Sequence, residues 1–124
     1  MLVVYHSKTG NVRRFMKKLD VRYVEISEMV EVKEPFVLVT YTTGFGQIPE
    51  KVQKFLRDNS AYLRGVSASG NKNWGDMFAR SADLISNQYG VPVISKFELS
   101  GRQKDVLNFL EGMKTIDEAH SVEQ

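Results

Sequence analysis

The sequence predicts one α/β domain: an open, doubly wound parallel sheet of five strands in the order 2-1-3-4-5. Three observations carry that prediction. Apolar runs of strand length alternate with segments whose apolar residues recur at helical spacing. Phe36-Val37-Leu38-Val39 is continuously apolar, as a central parallel strand covered on both faces requires. Glycine-rich loops follow the first, third and fourth strands, at the end of such a sheet where ligands bind.

The first strand, Leu2–His6, runs through Ser7-Lys8-Thr9-Gly10-Asn11-Val12 into a helix. Val12, Phe15, Met16 and Leu19 share one face of that helix. The second strand is Tyr23–Ile26. Ser27–Pro35 follows; it is too short for a crossover helix and is expected to form a turn or one loose helical turn. After the third strand, Phe36–Tyr41, a helix opens at Pro49, a residue tolerated in a first turn, and buries Val52, Phe55 and Leu56. Gly65–Ser69 is the fourth strand. The next helix, from about Asp76, repeats Phe78, Ala82, Ile85 and Tyr89. Val93–Phe97 is the fifth strand. The last helix starts at Ser100 with Gln103 at capping-box spacing and carries Val106, Leu107, Leu110 and Met113. Residues 1–114 thus form a single domain. Thr115–Gln124 is polar and mildly acidic, a tail whose outer part is expected to be disordered.

Composition narrows the function classes. The chain has 124 residues, enough for one core and too few for two. With no cysteine, disulfides, thiolate metal sites and thiol redox chemistry are excluded, so any redox role needs a cofactor. No apolar run is long enough to span a membrane and no signal peptide is visible, which makes a cytoplasmic location the expectation. The net charge of +2 is mild, and no nucleic-acid motif accompanies it. Lys51, Lys54 and Arg57 read as the solvated face of their helix. Arg13 and Arg14 are less comfortable, since cations in a first helical turn oppose the dipole; a bound phosphate would offset that cost.

The loop after the first strand is the most informative segment. Ser7, Thr9 and Asn11 place hydrogen-bonding groups beside the unpaired N–H groups of a helix start, a geometry suited to a phosphate dianion. Neither G-x-G-x-x-G nor G-x-x-x-x-G-K-[ST] occurs, which excludes the common dinucleotide and ATP loops. An ordinary capped strand-to-helix turn would use similar residues. Two further loops should converge on the same point. Thr42-Thr43-Gly44-Phe45-Gly46 follows the third strand, and Ser69-Gly70-Asn71-Lys72-Asn73-Trp74-Gly75 the fourth. Glycine lets backbone approach a flat ring closely. Trp74 offers a stacking surface or a rim to the core, Phe78 fits a core position, and His6 reads as structural.

The Ser-x-Thr-Gly-Asn loop resembles the phosphate loop of flavodoxins, with Val12 where that family usually has a hydroxyl residue. Ser69-Gly70-x-x-x-Trp74-Gly75-Asp76-x-Phe78 is similar to their third flavin-contacting loop. Together with Tyr41–Gly46, Gly65–Phe78 and Ser95-Lys96-Phe97-Glu98-Leu99-Ser100-Gly101, these motifs resemble the NrdI family, flavodoxin-like activators of class Ib ribonucleotide reductase. The resemblance covers the chain to about Met113.

That resemblance implies a flavodoxin-like fold and FMN as cofactor. Its phosphate would sit on Ser7, Thr9, Gly10, Asn11 and Val12. The isoalloxazine ring would lie between Thr42, Thr43, Gly44, Phe45 and Gly46 on one side and Asn71, Asn73, Trp74 and Gly75 on the other. Lys8, Ser69 and Gly70 complete the expected cofactor-binding set. No side chain is assigned a catalytic role, and no metal ligand is expected. The resemblance further implies that reduced FMN reacts with oxygen, and that the superoxide or peroxide formed serves assembly of the dimanganese–tyrosyl radical cofactor in the reductase small subunit. The implied partners are that subunit, an unidentified flavin reductant and molecular oxygen, with no nucleic acid and no membrane. The chain is then an accessory flavoprotein rather than a stand-alone catalyst.

The ring loops lack Asp and Glu before Asp76 and one carries Lys72, so fully reduced flavin should be easier to reach than in flavodoxins. The alternative is a general electron-transfer flavodoxin serving another redox partner. A flavin-free binding module would be colourless, a phosphorelay receiver lacks its acidic pocket here, and a quinone reductase would need more chain.

Overall fold

The computed structural model describes residues 1–27, 31–44 and 46–123, with side chains described as far as Ala119. Five parallel strands form one sheet: β1 (Leu2–Tyr5), β2 (Tyr23–Glu25), β3 (Phe36–Tyr41), β4 (Leu63–Gly70) and β5 (Val93–Glu98). Their order is β2-β1-β3-β4-β5, as the alternation of elements predicts. Four α-helices connect or follow them: α1 (Asn11–Met16), α2 (Glu50–Asn59), α3 (Arg80–Tyr89) and α4 (Gln103–Glu123).

Strand alternation divides the core into two layers. Val4, Phe36, Leu38, Val66 and Ala68 face one side, where Val52, Phe55 and Leu56 of α2 and Ala82 and Ile85 of α3 cover them. Val3, Tyr5, Val37 and Val39 face the other side, under Val12, Phe15 and Met16 of α1 and Val106, Phe109 and Met113 of α4. A strand apolar on both faces needs both layers, and β3 has five of its six residues buried. In register, Tyr5 pairs with Val39 and Tyr41 with Ser69, so the carboxyl ends of β1, β3 and β4 sit side by side.

Several boundaries differ from the sequence reading, each for a local reason. Helix α3 begins at Arg80, because Ala79 adopts a left-handed conformation (φ 49) that breaks the run from Asp76. Lys72–Met77 instead forms tight 3-10 turns, kinked at Gly75. Helix α4 begins at Gln103, past a corner in which Leu99 (φ 54) and Gly101 (φ 74) are both left-handed. Its start is capped by Asp105, whose Oδ2 accepts the Arg102 N–H at 2.8 Å, and not by a Ser100–Gln103 box. The helix continues through Glu123, past the boundary drawn at residue 114. Ile116 extends its apolar stripe and packs against Gly65, where a Cβ would stand 2.8 Å from Ile116 Cδ1.

The short connection between β2 and β3 lies partly outside the described residues, at Glu28, Met29 and Val30. Its described half is tied down by one buried side chain. Asn59, at the end of α2, accepts the Val32 N–H at 2.9 Å and donates to the Phe55 carbonyl at 3.1 Å. On the other face, Lys18 Nζ donates to the carbonyls of Ser100 (3.0 Å) and Gly101 (2.9 Å), joining the region after α1 to the β5–α4 corner. No helix among the described residues is long and apolar enough to cross a membrane.

Candidate functional site

The carboxyl ends of β1, β3 and β4 open into a cavity of about 340 Å³, within the ~300–1,000 Å³ typical of small-molecule sites. Ser7, Lys8, Thr9, Asn11 and Val12 line it from the β1–α1 loop. Thr42, Thr43, Gly44 and Gly46 line it after β3, and Ser69, Gly70, Asn71 and Trp74 after β4. The three loops therefore meet, as expected from the switch in strand order. Gly10, Asn73 and Gly75 were expected in the same set but do not line the cavity. Gly10 (φ 90) instead precedes α1 and its carbonyl accepts the Arg14 N–H at 2.9 Å. Asn73 donates its N–H to Asn71 Oδ1 at 2.9 Å, and Gly75 forms the kink behind Trp74. Phe45 lies outside the described residues.

Tyr41, Met77, Ala79 and Leu99 also line the cavity, although the sequence reading did not place them there. Tyr41 is the last residue of β3 and follows from register. The other three depend on left-handed backbone at Ala79 and Leu99, which no residue pattern announces. Trp74 and Leu99 are large apolar residues half exposed at this mouth, at 50% and 49%.

The polar end of the cavity is organised around α1. Ser7 Oγ accepts the Arg13 N–H at 3.3 Å. Arg14 donates to Asn11 Oδ1 at 2.6 Å, which leaves the Asn11 amide nitrogen as its free donor group. The two arginines, for which a bound phosphate was the expected relief, also have protein partners. Arg13 pairs with Glu25 of β2 at 2.6 Å, and Arg14 with Asn11.

The other walls are braced from behind. Ser81 is fully buried in the first turn of α3; its hydroxyl lies 3.0 Å from Tyr41 O, and its N–H donates to Thr42 Oγ1 at 3.3 Å. Ser69 Oγ donates to the Leu99 carbonyl at 2.5 Å, so this hydroxyl is engaged within the protein. Glu98 of β5 accepts the Lys72 N–H at 3.0 Å, bringing a carboxylate beside a loop whose own residues include none before Asp76. Thr43 and Gln47 close the β3 loop with two backbone hydrogen bonds of 2.9 and 2.7 Å.

Beside the site, His6 stacks on Tyr41 with ring centroids 5.4 Å apart. Its Nδ1 is buried and, among the described residues, has no hydrogen-bond partner. Burial lowers the His6 pKa, Lys51 and Arg13 add to the effect, and Glu25 opposes it. Burial likewise raises the Tyr41 phenol.

Residues 3–111 match the family described as NrdI Flavodoxin like. The chain belongs to that family. Among solved structures it is similar to a short-chain flavodoxin associated with a non-canonical PDU bacterial microcompartment, at 28% identity and a TM-score of 0.65. That alignment covers 93% of this chain and 97% of the other. Oxidised flavodoxin 2 from Bacillus cereus aligns at 18% identity and a TM-score of 0.66, over 95% of this chain and 97% of that one. Flavodoxin 1 of the same organism gives 18% and 0.65, over 94% and 96%. At that identity the two Bacillus structures speak to the fold alone.

Membership of the NrdI family implies FMN, and the cavity fits it. Hydroxyls and an amide donor gather at the end next to α1, while Trp74, Met77, Ala79 and Leu99 supply apolar surface elsewhere in the lining. A flavin nucleotide needs that division: a wet grip for its phosphate and a drier, partly aromatic one for its ring.

Proposed function

We propose that this NrdI-family protein holds FMN in the cavity at the β1, β3 and β4 loops and serves class Ib ribonucleotide reductase. The observation that carries the reading is the convergence of those loops on one cavity with a polar and an apolar part. When bound and reduced, the flavin supplies electrons to oxygen, yielding the superoxide or peroxide with which the dimanganese–tyrosyl radical cofactor of the small subunit is assembled. The protein's residues bind and orient. Ser7, Thr9 and Asn11 grip the phosphate with the first N–H groups of α1, and Lys8 adds a positive charge at the rim. Thr42, Thr43, Gly44 and Gly46 form one wall of the ring site. Asn71 and Trp74 form the other, with Asn73 and Gly75 shaping their turn. Half-exposed Trp74 leaves the mouth accessible, which suits a small oxidant that must leave for a partner.

The partners in this reading are the reductase small subunit, a flavin reductant and oxygen, in the cytoplasm. The purified protein should be yellow and release FMN on denaturation. Reduced anaerobically and mixed with manganese-loaded small subunit and oxygen, it should generate a tyrosyl radical detectable by electron paramagnetic resonance. A yellow protein that yields no radical would favour the second reading, a general electron-transfer flavodoxin, which the similarity to a short-chain flavodoxin supports.

A further inference from the structure

We propose that Leu99 is a flavin-contact residue held in place by Ser69, an assignment that rests on the FMN reading above. Leu99 belongs to β5's exit, a strand at the sheet edge and outside the three loops that define the site by strand order. It nevertheless lines the cavity. Its backbone is left-handed (φ 54), a conformation in which the leucine Cβ is crowded and which glycine or asparagine would adopt at less cost. Such strain persists only where the surroundings impose it.

Here the surroundings do so from both sides of the residue. The Leu99 N–H donates to the Gly70 carbonyl at 3.0 Å, and its own carbonyl accepts the buried Ser69 hydroxyl at 2.5 Å. Just beyond it, Gly101 (φ 74) packs so close to Phe15 that a Cβ would stand 2.7 Å from that ring. The corner is thus pinned to the end of β4. What it presents to the cavity is a large apolar side chain left 49% exposed. A residue kept only for stability would be glycine here, since glycine removes the strain and exposes no apolar surface. An apolar face in a cavity that Trp74 also lines matches the hydrophobic ring of a flavin rather than its phosphate or ribityl chain. Ser69 accordingly acts as a positioning residue, through Leu99.

The test uses the full-length protein stripped of flavin, with FMN titrated in and followed by the visible spectrum, and Tm measured for each flavin-free variant. L99G should raise the flavin-free Tm yet weaken FMN binding about tenfold, the effect of losing part of one buried leucine. L99N, which tolerates the same backbone, should weaken binding similarly and carries the test should L99G not fold. L99M keeps an apolar reach of the same volume and should bind within about twofold of wild type. S69A should shift the flavin absorption band, a change that a purely structural role would not produce. Unchanged affinity and spectrum in both L99G and L99N would overturn the proposal while leaving FMN binding by the wild type intact. A wild-type chain that takes up no FMN would overturn the cofactor reading and this inference with it.

Discussion

The hydroxyl oxygens of Thr42 and Ser81 lie 3.0 Å apart, 39 residues from one another in sequence. This contact fastens the loop leaving β3 to the first turn of α3. The Ser81 N–H also donates to Thr42, and the Ser81 hydroxyl reaches the Tyr41 carbonyl, so one buried serine serves two cavity-lining residues.

Replacing Ser81 by alanine should therefore cost about 1–2 kcal/mol, the usual effect of leaving part-buried partners unsatisfied. Urea unfolding of the flavin-free protein measures that loss. The same variant should bind FMN less tightly, because Thr42 loses its anchor; equal affinity would show that Thr42 needs no support.

Gly70→Ala tests how tightly β4 meets the start of α3. A Cβ at Gly70 would lie 2.5 Å from the Ala79 backbone nitrogen, and backbone cannot swing aside as a side chain can. Overpacking of this kind costs about 1–3 kcal/mol. A lowered Tm is expected, and an alanine variant as stable as wild type would mean that α3 shifts freely against the sheet.

His6 should make stability depend on pH. Its folded-state pKa lies below the ordinary 6.5, first because it is buried and then because Lys51 and Arg13 stand nearby. The unfolded chain then binds the proton more readily than the folded one. The contribution is fully present above pH 6.5 and is lost as pH falls from there through the folded value. Urea midpoints should decline between pH 7 and pH 5, and His6→Phe, which keeps an aromatic ring against Tyr41, should flatten that decline.

Asn59 should be worth more than an ordinary surface amide. Asn59→Ala strands the buried N–H of Val32 and is expected to cost about 1–3 kcal/mol. Asn59→Asp keeps the acceptor for Val32 but loses the donor to Phe55, so it should fall between wild type and alanine in denaturant melts.

Trp74 is the only tryptophan in the chain, and it lines the cavity. Its fluorescence should fall steeply as FMN is added to flavin-free protein, saturating at one flavin per chain. Riboflavin, without the phosphate, should quench only at much higher concentration.

Much of this architecture was legible in the residues, and the exceptions share a cause. The run Phe36–Val39 announced a central strand, and the helical spacing of Val52, Phe55 and Leu56 announced α2, because burial on a defined face leaves a periodic trace. The three cavity loops were legible because strand order dictates where they must lie. What escaped was non-periodic. Left-handed backbone at Ala79 shortened α3, and the same conformation at Leu99 turned the residue just past the edge strand into the cavity. Glu98 reaches Lys72 across 26 residues, a distance at which local pattern carries no information. Arg13 of α1 likewise found its partner through space, in Glu25 on β2.

The tether from Lys18 to Ser100 and Gly101 spans more than 80 residues and steadies the corner that bears Leu99. Until the ribosome has delivered that last turn, the cavity between the three earlier loops lacks its Leu99 lining, and Lys18 lacks these two carbonyls. The pocket is in this sense a late product of synthesis, completed only when the final strand and helix arrive.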